Sequence, residues 1–272
     1  MPTVEPVTTL LFTGDLIPAR CTYAKILALG GDFTLPFQPL HGLLTSADVT
    51  VGTLDATASD AGTPFGCTPT FSLAAPAAAI AGFTYAGYDV LSHAANHIKD
   101  CGTRPCGDRA MFETDANLRA AGIKSAGTGR NLFEARAPQI VARHGVSFAF
   151  LAYDDIASYY QASEDRAGSA PLDASTIAED VANARKFANV VIIVPHWGVE
   201  YTADPSARQR QFASAAAAAG ADMIVGNHPH WVQAHEKIGG MFVAYALGNF
   251  VFDQDWSLET QQGALLEAPF TG

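Results

Sequence analysis

Seven nearly continuous apolar runs, each followed within two residues by aspartate, asparagine or histidine, constrain this chain more than any other feature. They are VTTLLFTG (7–14), ADVTVGTL (47–54), YDVLSHA (88–94), VSFAFLAY (146–153), NVVIIVP (189–195), ADMIVGN (221–227) and MFVAYAL (241–247). Runs this apolar do not alternate as a half-solvated strand must, so they read as strands covered on both faces. Between them lie stretches of helical character: 73–87, 106–122 closing on Gly122, 173–188 with Ser175 and Thr176 ahead of Glu179, and 204–220 with Pro205 near its start and Gly220 past its end. Strand alternating with helix predicts an α/β fold with a largely parallel sheet. The longest polar stretch, 158–172, reads as a loop over one rim.

In a parallel sheet the C-terminal strand ends share one edge, where ligands bind. The polar residues placed there are Asp15, Asp55, Asn96 with His97, Asp154 with Asp155, His196, His228 with His230, and Asn249. Carboxylate, amide oxygen and imidazole without thiolate suit Zn, Mn or Fe. An aspartate bridging two such ions makes a centre that activates water and stabilises charge on a substrate. Five of the eight histidines, His93, His97, His196, His228 and His230, fall at three strand ends. His41, His144 and His235 do not and read as ordinary loop residues. His93 lies inside its run and reads equally as a buried core residue. Taken singly, Asp15 is explained by helix capping and Asp55 by a turn. Their company with NHPH (227–230) favours the metal reading.

A formal charge of −11 argues against a nucleic-acid binder, which needs a basic face to displace counterions. No apolar run approaches the roughly 18 residues of a membrane span, and MPTVEPVTTL lacks the basic and apolar regions of a secretory leader. GALLEAPFTG stops at what reads as the start of a strand, so trimming at both ends is expected. The 272 residues, 49% of them hydrophobic, form one expected domain, 1–272. Of the four cysteines, Cys101 and Cys106 are too widely spaced for a zinc knuckle. In an exported protein they pair with each other, or one of them pairs with Cys67; otherwise they are plain thiols.

TGDLIPAR (13–20), TLD (53–55), ANHIKDCG (95–102), HWGVEY (196–201), GNHPHWVQ (226–233) and YALGNFVFD (245–253) resemble, in order, the motifs of the capsule-synthesis CapA/PgsA family. That family belongs to the calcineurin-like metallophosphoesterase superfamily. The resemblance implies a four-layer α/β/β/α sandwich with one or two divalent ions at the strand C-terminal ends. It implies Asp15 and His230 as ligands of one ion, Asn96, His196 and His228 as ligands of the other, and Asp55 as the bridge. His97 resembles the unligated histidine that gives a proton or hydrogen bond to the reacting group. Arg20, Lys99 and Glu200 are expected at the substrate cleft, with an internal ion pair or loop brace as the other reading of Arg20 and Glu200. Trp197, Tyr201 and Trp231 form an aromatic rim or pack over the sheet edge. Three positions depart from the superfamily pattern: Leu16–Ile17 stand where Asp-x-His would place an imidazole, Thr53-Leu54-Asp55 replaces Asn-Leu-Glu, and Ala95 replaces an asparagine.

The function implied is that of a metal-dependent hydrolase, active outside the cytoplasm, in making or processing poly-γ-glutamate or a related anionic envelope polymer. The bond is a phosphoester or an amide, and a membrane synthase complex is the implied partner. A non-catalytic assembly subunit and a general phosphodiesterase are the alternatives. A polyglutamate chain is repelled by most of so acidic a surface, so its binding is expected to rest on the metals, Arg20 and Lys99.

Overall fold

The first apolar run becomes strand β1, Val7–Leu16, in the computed structural model, which describes residues 7–271. Residues 1–6, read above for a leader, and Gly272 lie outside the described residues. The other strands of the two large sheets are, in chain order, Val49–Leu54 (β2), Tyr88–Ser92 (β3), Lys124–Ala126 (β4), Gln139–Arg143 (β5), Val146–Asp154 (β6), Val190–His196 (β7), Met223–Val225 (β8), His235–Ile238 (β9), Met241–Ala244 (β10), Asn249–Val251 (β11) and Leu266–Thr271 (β12). One sheet runs β11-β1-β2-β3-β4, all parallel, with β12 antiparallel along the first half of β1. The other runs β9-β10-β8-β7-β6-β5, parallel at its centre and closed at each edge by an antiparallel hairpin.

Alternate side chains of the same strands face two different cores, which is why the runs are apolar throughout. Leu10, Phe12, Val51 and Val90 meet Phe148, Phe150, Ile192 and Val194 between the sheets. On the far side of the first sheet, Leu11, Leu16 and Leu91 pack under helices α1 (Arg20–Ala28), α2 (Ile80–Tyr85) and α3 (Arg109–Ala120) through Ile26, Phe83 and Leu118. On the far side of the second, Val191 and Ile193 pack under α4 (Ile177–Ala184) and α5 (Ala207–Ala218) through Val181 and Phe212. The result is the expected layering of helix, sheet, sheet and helix. Helix α5 opens on a capping box between Ser206 and Gln209 and ends before Gly220 at φ +86°.

Several expected boundaries moved. The stretch 73–87 is helical only from Ala77: Ala74–Ala75 pairs as a short strand with Thr57–Ala58, and Pro76 is extended. A residue preceding proline is driven out of the helical region, which favours that pairing. The strands β4, β5, β9 and β11 were not anticipated; they are short, or polar on one face, and helix α1 was anticipated only as one that Asp15 would cap, whereas Ala19 stands at its N-cap. Among the described residues no helix is long and apolar enough to cross a membrane.

Cys101 pairs with Cys106, one of the expected bonds, but Cys67 pairs with Cys21 and with neither of them. Position 21 opens α1, which sequence periodicity did not reveal. The Cys21–Cys67 bond closes a loop of 46 residues, so its removal as Cys21→Ser/Cys67→Ser is expected to cost about 4 kcal/mol in chemical unfolding, against about 2 kcal/mol for the five-residue Cys101–Cys106 loop. Equal losses would show that native-state contacts, rather than loop closure, set the effect.

Candidate metal centre

Strand β1 does not stop where the apolar run does; it continues through Asp15 to Leu16. Its pairing with β2 is irregular between Phe12 and Asp15, and the Asp15 amide donates to Gly248 O at 2.9 Å. A Cβ on Gly14 would collide with that same Gly248 carbonyl, so glycine is required before the aspartate. Asp55 follows β2 directly, and His196 is the last residue of β7. Two neighbouring strands of the first sheet and one strand of the second therefore deliver three functional side chains to the same end of the sandwich.

The NHPH turn is pinned from several sides. Asn227 Nδ2 donates to Thr53 Oγ1 (2.8 Å), Trp197 N to Asn227 O (3.0 Å), and Tyr201 N to Pro229 O (2.8 Å). Arg20, Tyr201, His228 and His230 all have positive φ, at 50°, 60°, 102° and 57°. Among the described residues the only other non-glycine there is His144, in the exposed β5–β6 turn. Strain of this kind persists where surrounding contacts over-determine it, and here it gathers at one site.

The side chains converge closely. His196 Nε2 lies 2.8 Å from Asn96 Oδ1, 3.2 Å from His228 Nδ1 and 3.6 Å from Asp55 Oδ1; His196 Nδ1 lies 3.8 Å from Asp15 Oδ1. His230 Nδ1 lies 3.5 Å from Asp15 Oδ2 and 2.9 Å from Asn249 Oδ1, and the His228 amide donates to Asp15 Oδ2 at 3.2 Å. Asn249 Nδ2 donates to Thr260 O, which turns its amide oxygen toward His230. His97 Nδ1 sits 2.6 Å from Asp100 Oδ2, leaving Nε2 as its free nitrogen.

Burial decides the electrostatics. It pushes the Asp55 carboxyl up to about 7, with Asp15 adding to the rise and His97 opposing it. It holds His196 well below the usual imidazole value and His228 at about 3, each helped by neighbouring histidines. At His97 burial acts downward, but Asp55 and Asp100 outweigh it and bring the group to about 8. His230 is likewise raised, burial being outweighed by Asp15.

Asp15 Oδ1, both carboxylate oxygens of Asp55 and His196 Nδ1 are buried without a hydrogen-bond partner. Among the described residues no three His, Cys, Asp or Glu side chains are already spaced around a cation; these close instead on one another. The donor set nonetheless fits one. Orphaned buried oxygens beside neutral imidazoles are groups that a divalent ion would satisfy.

Above this cluster opens a cavity of about 520 Å³ whose lining includes Arg20, His97, Glu200, Tyr201 and His230. Arg20 pairs with Asp253 and donates from NH1 to Thr70 O (2.8 Å). Two expected cleft residues are placed elsewhere. The Lys99 ammonium lies 2.8 Å from Asp108 and donates to Ala167 O, bracing a loop away from the cavity. Trp197 is completely buried, stacked on Tyr245 with Nε1 donating to Tyr245 O; a Cβ on Gly226 would strike that indole nitrogen. Trp231 also lies outside the cavity lining. Asp100 and Asp253 were not singled out for the site, although both lie inside the quoted motifs, and Asn249 was placed at the strand-end edge without a role as a ligand. Phe71 and Trp256 sit in loops that carry no sequence signal.

Asp154 ends β6 but does not join the cluster. Its buried carboxyl accepts from Ile156 N, Ala157 N and Ser169 Oγ, bracing a turn. Burial pushes it up to about 6 from an ordinary 3.8, against those hydrogen bonds. Between those values the folded state keeps a proton that the unfolded chain has released. The resulting stability is fully present below pH 3.8 and lost as pH rises through 6, about 3 kcal/mol at most. Measured by urea unfolding relative to Asp154→Asn, the wild type is expected to weaken between pH 4 and pH 7; a pH-independent difference would show that the carboxyl is not held protonated.

The family model described as "Bacterial capsule synthesis protein PGA_cap" matches residues 9–254. The PGA biosynthesis protein CapA of Bacillus subtilis (strain 168) is 35% identical over 182 residues, 66% of this chain and 46% of that protein. The capsule biosynthesis protein CapA of Bacillus anthracis is 33% identical over 187 residues, 67% of this chain and 44% of that protein. The chain thus spans less than half the length of these two relatives. Among solved structures, a putative 5'-nucleotidase from Staphylococcus aureus, in complex with alpha-ketoglutarate, superposes with a TM-score of 0.58 at 11% identity, covering 96% of this chain and 54% of that one. The fold is the metallophosphoesterase-like α/β sandwich.

Proposed function

Because the chain belongs to the bacterial capsule synthesis protein PGA_cap family, we propose that it is a divalent-metal-dependent hydrolase of cell-envelope polymer biosynthesis, acting outside the cytoplasm on a phosphoester. The polymer is poly-γ-glutamate or a related anionic chain, and a membrane synthase complex is the proposed partner. One observation carries the hydrolase reading: Asp15, Asp55, Asn96, His196, His228 and His230, drawn from separate strand ends, converge around buried oxygens that no group among the described residues satisfies. The ions are Zn, Mn or Fe, one or two per chain. Asn249, whose amide oxygen faces His230 beside Asp15, is proposed to supply the donor that Leu16–Ile17 cannot.

When bound there, a divalent ion supplies Lewis-acid charge for the reacting phosphoryl group. The protein's own contributions are distinct. Asp100 fixes the His97 ring through Nδ1, so that Nε2 can hand a proton to the leaving oxygen. Burial keeps the cluster away from bulk water, which strengthens every charge interaction within it. The Asp253 carboxylate holds Arg20 at the cavity wall.

The second reading, a non-catalytic assembly subunit, draws on Leu16 and Ile17, fully buried where the resemblance places an imidazole. Metal analysis and hydrolysis of bis-p-nitrophenyl phosphate by Mn- or Zn-loaded protein separate the two. Turnover is expected to be abolished by chelator and lowered about 100-fold or more in His97→Ala with metal content unchanged. Metal-loaded protein without turnover on either phosphoesters or γ-glutamyl amides would leave the assembly reading in its place.

A further inference from the structure

The mouth of the cavity exposes aromatic surface for which folding gives no reason. Phe71 is 92% exposed and Trp256 58%, and both line the cavity shared by Arg20 and His97. Tyr201 meets Trp256 edge-on at 4.7 Å, and the Arg20 guanidinium lies 4.8 Å above the Phe252 ring. Rings left in water forfeit the free energy their burial would return, so a group of them around one opening marks a binding surface.

Neither exposed ring sits on a loose segment. The Phe71 loop is tied down by the Cys21–Cys67 bond, by Arg20 NH1 to Thr70 O, by Gly102 N to Ser72 Oγ at 3.1 Å, and by Leu73 N to Asp100 Oδ2 at 2.5 Å. The Trp256 segment is held by Gln261 Nε2 to Asp255 O at 2.8 Å and by Thr260 N to Ser257 Oγ at 3.2 Å. Preorganised rings bind without an ordering cost.

The Arg, Lys, Asp and Glu side chains lining the cavity are Arg20, Asp253 and Glu200, and His97 and His230 line it as well. Arg20 is already committed to Asp253. Among the described residues that leaves Glu200 as the one lining carboxylate without a paired cation, and an uncharged ring meets a stacking surface.

We infer that this mouth selects phosphoesters bearing an uncharged ring, which stacks against Trp256 and Phe71, while Glu200 turns away substituents that carry a carboxylate. The inference rests on the hydrolase reading above and names its substrate class. The group engaged at the mouth is accordingly not a free polyglutamate segment, which carries a carboxylate on every residue.

The test uses metal-loaded protein and p-nitrophenyl phosphodiesters whose second substituent is phenyl, methyl or carboxyethyl. The phenyl ester is expected to exceed the methyl ester about tenfold in kcat/KM, mostly through KM, with the carboxyethyl ester lowest. Trp256→Ala and Phe71→Ala, both at exposed positions, should bring the phenyl-to-methyl ratio close to one, and Glu200→Gln should raise the carboxyethyl ester relative to the methyl. Ratios indifferent to these substitutions would overturn the inference. Calorimetry of phenylphosphonate against methylphosphonate separates its failure from that of the hydrolase reading. Tighter binding of phenylphosphonate that Trp256→Ala abolishes sustains the inference even without turnover, and equal affinities end it.

Discussion

Asp55→Asn is expected to stabilise the cation-free protein by about 1–3 kcal/mol and, in the same molecule, to abolish the stabilisation that added Mn²⁺ or Zn²⁺ gives the wild type. The opposite signs follow from one fact. Both Asp55 oxygens are fully buried with no hydrogen-bond partner, and Asp15 lies close enough to raise its proton affinity. Without a cation, the carboxyl is a cost that a neutral amide of the same shape reduces. With one, the same two oxygens would find the partner they lack. The wild type is expected to gain about 4 kcal/mol at a cation concentration a thousand times the dissociation constant, and the variant close to nothing. Thermal unfolding with and without metal, beside metal analysis of both proteins, reads the two effects. A variant that gains as much from the ion as the wild type would remove Asp55 from the centre.

Trp197→Ala is expected to cost about 3–5 kcal/mol of stability, whereas Trp256→Ala should change it by no more than about 0.5 kcal/mol. Trp197 is completely buried, stacked at 5.7 Å on Tyr245 and edge-on to Phe212 at 5.9 Å. Its indole N–H holds the Tyr245 carbonyl, so truncation leaves both a cavity and an unpaired acceptor. Urea unfolding of the two variants decides between them. If Trp197→Ala unfolded like the wild type while losing substrate affinity, the expectation that it lines the cleft would stand and its placement in the core would fall.

These two tryptophans show how far sequence reading reaches. Trp197 stands next to a chemically loaded histidine in HWGVEY and reads as a site residue; Trp256 stands in no quoted motif. The chain places them the other way round, because a residue following a strand end turns toward the outer helical layer or toward the cavity according to the next bend of the backbone. Here that bend is the positive φ of Gly198 and Tyr201. Lys99 is a similar case. A cation three residues past Asn96 looks available, yet Asp108 and the Ala167 carbonyl claim it from a distant loop.

Local pattern was enough for an α/β chain with strands covered on both faces and for the polar residues at their ends, while the four layers and the selection of ligands among those residues came from the resemblance of the motifs. Double-faced apolar runs can be satisfied only by covering both faces, and parallel pairing then gathers Asp15, Asp55 and Asn96 along one edge of the first sheet and His196, His228 and His230 along one edge of the second. The sequence by itself determined that much, because apolar periodicity and residues at strand ends are properties of neighbours along the chain. Tertiary structure alone decided which aromatics face the cavity, that Cys67 pairs with Cys21, that Asp253 holds Arg20, and that Asn249 turns its oxygen toward His230. Each of those is a contact between segments tens to hundreds of residues apart, set by how loops close over the sheet edge, and no local periodicity encodes it.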